Sequence, residues 1–172
     1  VYKRQVTDGS NHIEGLSDLR PVAVMAPGVL GQTGIETAEF IRSVCDRIKP
    51  SAVIAVDALA SGSIHRLGTT VQLTNTGISP GSGVQNKRKA LNRDALGVPV
   101  VALGIPTVVD AASVVVRSPA GENPEPEELS GCMVTPREID VIIDKASSML
   151  ALAINKALQP SLSVEDILGL TE

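Results

Sequence analysis

Ala52-Val-Ile-Ala-Val-Asp-Ala-Leu-Ala60 decides the fold class. Five small or β-branched apolar residues in a row predict a strand buried on both faces, as in sheets covered by helices on either side. The run is broken by one acid, Asp57, placed at the expected carboxyl end of that strand. A carboxylate next to a buried strand is costly unless it is hydrogen-bonded, neutralised or put to chemical use. Open α/β sheets hold their ligands at the carboxyl ends of strands, which makes Asp57 a candidate catalytic acid. An Asp can equally cap the turn that follows, through Ser61 or a backbone N–H. Both readings stand from position alone.

Moving outward, Val22-Ala-Val-Met-Ala26 predicts a short strand ended by Pro27-Gly28. A glycine-rich turn over 28–34 leads to a helix in which Thr33 and Glu36 have capping-box spacing. Ile35, Ala38, Ile41, Cys45 and Ile48 mark its apolar face, and Pro50 ends it. Cys45 on that face reads as a small core residue. Downstream, Thr69–Thr74 alternates as an exposed strand would, and Gln85–Leu96 predicts a short basic helix. Val98-Pro-Val-Val-Ala-Leu103 predicts another strand, followed by Gly104-Ile-Pro-Thr-Val-Val-Asp110. Residues 118–131 are rich in Pro, Glu, Gly and Ser and read as a solvated connection. Thr135-Pro136 with Glu138 predicts a helix start, with apolar positions from Ile139 to Ala153 at helical spacing. A short helix is expected within 161–172. The alternation of strands and helices implies a three-layer α/β sandwich around a largely parallel sheet.

Composition narrows the function classes. Of 172 residues 43% are hydrophobic, yet Tyr2 and Phe40 are the only aromatics, so the core is built from aliphatic side chains. A formal charge of −4 gives no electrostatic reason to bind nucleic acid or an anionic membrane. No apolar run reaches the roughly 20 residues needed to span a bilayer. Cys45 and Cys132 have neither metal-ligand spacing nor a disulfide framework, and an intracellular compartment is expected.

Other candidate positions carry less. Asp110 ends the second long apolar stretch, where it could sit beside Asp57 or cap the helix beginning at Ala111. Glu36 stands in a helix's first turn, where a carboxylate favours the macrodipole. Gly77-Ile-Ser-Pro-Gly81 matches a nucleophile-elbow pattern, but the residue that must donate its N–H to the oxyanion is Pro80, which has none. Gly81, Ser82 and Gly83, followed by Lys87 in Asn86-Lys-Arg-Lys89, outline a substrate or anion loop that is not a Walker motif. A plain turn before a solvated basic helix explains the same residues. His65 and His12 show no partner spacing. No metal or other cofactor is expected.

These segments resemble the germination (spore) protease family. The similar stretches are Arg20-Pro-Val22, Ala26-Pro-Gly-Val-Leu-Gly-Gln-Thr-Gly-Ile-Glu-Thr37, Ile54-Ala-Val-Asp-Ala-Leu-Ala60 and Asn75-Thr-Gly-Ile-Ser-Pro-Gly-Ser-Gly-Val84. They continue with Asn86-Lys-Arg-Lys-Ala-Leu91, Gly104-Ile-Pro-Thr-Val-Val-Asp-Ala111 and Met133-Val-Thr-Pro-Arg-Glu-Ile-Asp140, in the family's order. The resemblance implies a cytoplasmic endopeptidase of the spore core that degrades small acid-soluble spore proteins at germination. It implies a zymogen, a homotetramer, a phosphorylase/hydrolase-like sandwich and an atypical aspartic mechanism. One of the family's two essential aspartates falls on Asp57; the other belongs to a Thr-Pro-Asp-Ala-Leu-Gly-type segment that is not found before Arg20. On this reading residues 1–19 are a leader or a truncated N-terminus, 20–160 the C-terminal part of the catalytic domain and 161–172 a tail. The connection between Asp110 and Met133 is shorter than in many relatives.

Overall fold

The computed structural model describes residues 19–28, 30–84, 88–114, 129 and 131–171. The chain packs as two units, Pro27–Ile142 and a second made of the described residues up to Ala26 with Ile143 onward.

The first unit holds a mixed four-stranded sheet. Strand β1 (Val53–Ser61) runs parallel to β3 (Val100–Asp110), while β2 (Gln72–Thr74) and β4 (Met133–Val134) pair with β3 antiparallel. β3 is the central strand, and β1 pairs along its other edge with no strand among the described residues. A largely parallel sheet was expected; one pairing of the three is parallel. The reason lies in the connections. β1 and β3 run the same way because a long crossover separates them, whereas β2, within that crossover, and β4, after β3, return to β3 against its direction.

β1 is also longer than its apolar run. It continues four residues past Asp57 to Ser61, so Asp57 is in the strand rather than at its end. Cross-strand bonding to β3 carries it on: Asp57 is opposite Gly104 and Ser61 opposite Val109. The register shifts between Leu59 and Ala60, opposite Pro106 and Val108. Proline lacks the N–H that an interior ladder position must donate, and a bulge is where such a residue is tolerated.

Burial alternates along β1. Val53, Ala55, Asp57 and Leu59 are partly covered, while Ile54, Val56 and Ala58 are exposed. The covered face meets α2 (Thr37–Ile48) and the single turn α3 (Arg93–Leu96): Ala38, Leu91, Leu96 and Val100 form a cluster against which Ile41, Val53 and Ala55 pack. The opposite face is open in this unit, with Ile54 37%, Val56 52% and Leu73 68% exposed. The expectation of a strand buried on both faces therefore fails on one of them. Leu96 is 1% exposed. Its truncation to Ala is expected to cost about 3 kcal/mol, through lost transfer energy and a residual cavity, read as a lower urea midpoint.

The helices begin later than their sequence signals. Leu30–Thr33 forms one turn, α1. Thr33 Oγ1 accepts from the Ile35 N–H at 3.2 Å, and α2 is N-capped by Glu36, whose side chain makes no cap bond. The hydroxyl is used up by a local turn, which displaces the expected capping box. Likewise Thr135 Oγ1 donates to the Thr107 carbonyl at 2.8 Å, and α4 (Ile139–Leu158) starts after it. Among the described residues of the expected helix over 85–96, Arg93–Leu96 are helical, and Asn92 Oδ1 accepts from the Ala95 N–H. Residues 85–87 lie outside the described residues, as does most of 118–131. Ahead of α3, Ile78 and Leu91 form a bridge, with N–H to O distances of 3.0 and 2.7 Å in the two directions.

In the second unit, residues 22–26 form no strand. Instead the Arg20 backbone exchanges two hydrogen bonds with the buried Gln159 amide, at 2.9 and 2.8 Å, so a side chain takes the place of a strand partner. The short C-terminal helix is present as α5 (Val164–Thr171), capped by Ser163 and Asp166 in a reciprocal pair. The Ser163 hydroxyl, which donates to Asp166 Oδ2, and then the Ser163 N–H hold the Asp166 carboxyl below its ordinary value. Among the described residues no helix is long and apolar enough to cross a membrane.

Candidate active site

Asp57 is held by backbone pairing to β3 and directed to the helix-covered face by strand alternation. Its Oδ1 accepts from the Ala58 N–H at 2.9 Å. Burial drives its pKa above the ordinary carboxylate value, and the Ala58 bond only partly offsets this. The turn-capping reading through Ser61 fails, because Ser61 is in the same strand and its hydroxyl donates to the Ser63 carbonyl. Asp57 is thus a carboxyl group that keeps its proton more readily than usual.

Gly104, opposite Asp57, shapes the space beside it. A Cβ there would stand 2.5 Å from Leu59 Cγ and Cδ1, so the Leu59 side chain occupies the gap left by the missing one. Leu59 is two residues beyond Asp57 and on the same face. A second approach to β1 comes from the turn Ser82–Val84. A Cβ on Gly83 would overlap that of Ala60, so only glycine lets this turn reach the strand. Gly81 has φ +70, which glycine adopts without strain. The structure thereby brings the turn that carries Ser82 and Gly83 to β1 at Ala60, three positions beyond Asp57, where strand alternation turns the side chain to the other face from Asp57. Lys87 lies outside the described residues.

Two carboxylates proposed as supporting groups are placed elsewhere. Gly104 precedes Asp110 by six residues on β3, so Asp110 lies roughly 20 Å along the sheet from Asp57 at 3.3 Å per residue. Its Oδ1 accepts from the Ala112 N–H at 2.8 Å, capping the short 3₁₀ turn Ala111–Ser113. The alternative that set Asp110 beside Asp57 is corrected: β3 continues through Gly104 and carries Asp110 away. Glu36 faces Arg88 at 3.9 Å, with both side chains mostly covered, and Glu39 pairs with Lys89. The basic residues described after the glycine loop are therefore engaged by the first turn of α2, which weakens their use as an anion cradle. These partners were legible only in three dimensions. His65 is exposed in a 3₁₀ turn. Cys45 is buried, and loss of hydration followed by the nearby Asp46 charge raises its thiol pKa. No group of three or more His, Cys, Asp or Glu side chains able to hold a metal occurs among the described residues.

Asp57 and the loop at Gly81–Gly83 both fall in the part of the chain, residues 10–119, that matches the family model described as germination protease. That match covers more than half of the sequence. The chain belongs to the germination protease family. It is 44% identical to the germination protease of Clostridium perfringens strain SM101 over 180 residues, covering 87% of this chain and 55% of that protein. It is 43% identical to the Clostridium tetani germination protease over 183 residues, covering 87% and 56%. Over 95 residues it is 58% identical to the germination protease of Bacillus subtilis, covering 55% of this chain and 26% of that one. The chain spans about half the length of the curated Clostridium relatives it matches.

Proposed function

We propose that the complete protein is an endopeptidase that degrades small acid-soluble spore proteins during germination, with Asp57 as one of two catalytic carboxyl groups. Membership of the germination protease family carries this reading. The chemistry of Asp57 supports the mechanism. Hydrolysis by paired carboxyls needs one that is protonated and one that is ionised, and a carboxyl biased toward its neutral form suits the first role. The ionised mate takes a proton from water as the water oxygen bonds to the scissile carbonyl carbon. The protonated carboxyl donates to the carbonyl oxygen, and the proton gained by the mate passes to the departing amine as the C–N bond breaks. As the C–N bond breaks, one hydroxyl proton of the tetrahedral intermediate returns to the first carboxyl, so the pair ends the cycle sharing one proton, as it began.

Asp110 is too far along β3 to be the mate, and Glu36 faces Arg88. We place the mate in the portion of the relatives that these 172 residues do not match, in the Thr-Pro-Asp-Ala-Leu-Gly-type segment that the resemblance gives the family's second aspartate. That portion would also cover Ile54, Val56 and Leu73 and complete a three-layer sandwich. A zymogen, a homotetramer and residence in the cytoplasm of the spore core belong to the same proposal.

The test is the cleavage of a small acid-soluble spore protein by the complete enzyme, followed across pH. Two carboxyls acting together give a bell-shaped profile that a sulfonyl fluoride and a chelator leave unchanged. Inhibition by either reagent would remove the carboxyl mechanism.

A further inference from the structure

Asp57 shares its sheet face with a hydrophobic neighbour whose position depends on a missing side chain on the next strand. Leu59 leans from β1 toward β3, its Cγ and Cδ1 lying 2.5 Å from where a Cβ of Gly104 would be. Gly104 is the register partner of Asp57. Adjacent strands are about 4.8 Å apart, so an aliphatic group filling the Gly104 position stands directly alongside the Asp57 carboxyl. No other residue type at 104 would allow this, since any Cβ would displace Leu59.

We propose that Leu59 is a positioning residue for Asp57: seated in the gap at Gly104, it walls off one side of the carboxyl from water and keeps that group in the proton-holding role. This rests on the carboxyl-pair reading for its catalytic meaning, while the placement of Leu59 stands independently. The surroundings favour an apolar rather than an ionic cause. The elements packed most extensively on β1 are β3 and the turn Ser82–Val84. Among them the one ionisable side chain is Asp110, six residues beyond Gly104, and β1 itself carries none besides Asp57. On the covered face α2 and α3 add Glu39, Arg42, Asp46, Arg47, Arg93 and Asp94. None of these is among the influences on Asp57, namely burial and the Ala58 N–H. Loss of hydration is the largest influence on Asp57. Leu59 is the large aliphatic side chain that the strand's alternation puts next to it.

The experiment is a carbon-13 NMR titration of the aspartate side chains in the 172-residue chain, with Asp57 assigned by the signal lost in Asp57→Asn. Leu59→Ala is expected to move the Asp57 midpoint to lower pH, and Leu59→Met, which keeps the apolar bulk, to leave it in place. Should Leu59→Ala fail to fold, Leu59→Val gives a smaller displacement in the same direction. In the complete enzyme, the limb of the pH–rate profile assigned to Asp57 moves with the titration. An unchanged midpoint in Leu59→Ala, or equal displacement in Leu59→Met, overturns the proposal. If the midpoint moves as expected but Asp57→Asn leaves cleavage intact, the catalytic reading fails and Leu59 remains the residue that sets this carboxyl's hydration.

Discussion

Asp57→Asn in the complete enzyme is expected to lower kcat/KM for a spore-protein substrate by about a thousandfold or more, the scale of losing a positioned acid. The amide matches the carboxyl in size and can still accept from the Ala58 N–H, so the fold has little reason to change. It cannot donate a proton of usable acidity to the carbonyl oxygen. A pH series of unfolding midpoints separates chemistry from folding. Because the folded-state pKa of Asp57 is raised, the native chain holds this proton where the unfolded chain, near the ordinary 3.8, has released it. The native state then binds more protons, and the Asp57 contribution to stability falls as pH rises from about that value through the folded pKa. Asp57→Asn removes that decline, so the variant is expected to be at least as stable as the parent near neutrality while inactive. An active variant would exclude Asp57 from the chemistry.

The second large effect is structural. Gly77 has φ +89, outside the usual range of L side chains, and a Cβ there would overlap the Leu91 carbonyl oxygen and lie 2.7 Å from Asn92 Cβ. Strain of roughly 1–3 kcal/mol adds to overpacking of similar size. Gly77→Ala is therefore expected to destabilise the chain by about 4 kcal/mol, measured as a fall in the denaturant midpoint. The backbone at 91–92 cannot step aside without losing the Ile78–Leu91 bridge and the Asn92 cap of α3. Near-parental stability would show that this turn relaxes freely.

How much of this was legible in the sequence depends on the range over which each signal acts. The strands β1, β2 and β3, the body of α2 and α4, and the burial of Cys45 follow from local periodicity. Where a polar side chain had a competing partner, the local rule misled. Thr33 and Thr135 read as helix caps, yet one closes a turn on Ile35 and the other reaches Thr107, so both helices start downstream. The segment 22–26 has strand composition, but its neighbour at Arg20 is satisfied by Gln159, 139 residues away. The length of β1 and the separation of Asp57 from Asp110 follow from ladder pairing, which no single strand's pattern contains. Asp57 itself stood out because an acid interrupting an aliphatic run is conspicuous; Leu59 and Gly104 did not, because each is ordinary until the two strands are laid side by side. The pairing of Glu36 with Arg88 was hidden for the same reason.

The bridge between Ile78 and Leu91 gives residues 79–90 an unusual latitude. Both ends of that excursion meet at one pair of amide–carbonyl bonds, so away from its ties at Gly83, Arg88 and Lys89 the fold senses the pinch at its base more than the length of what lies beyond. Lengthening such a detour to twice its size costs only about 0.6 kcal/mol in closure entropy. Evolution can thus graft new recognition chemistry into this stretch, provided the glycine before the pinch and the one that touches Ala60 are kept.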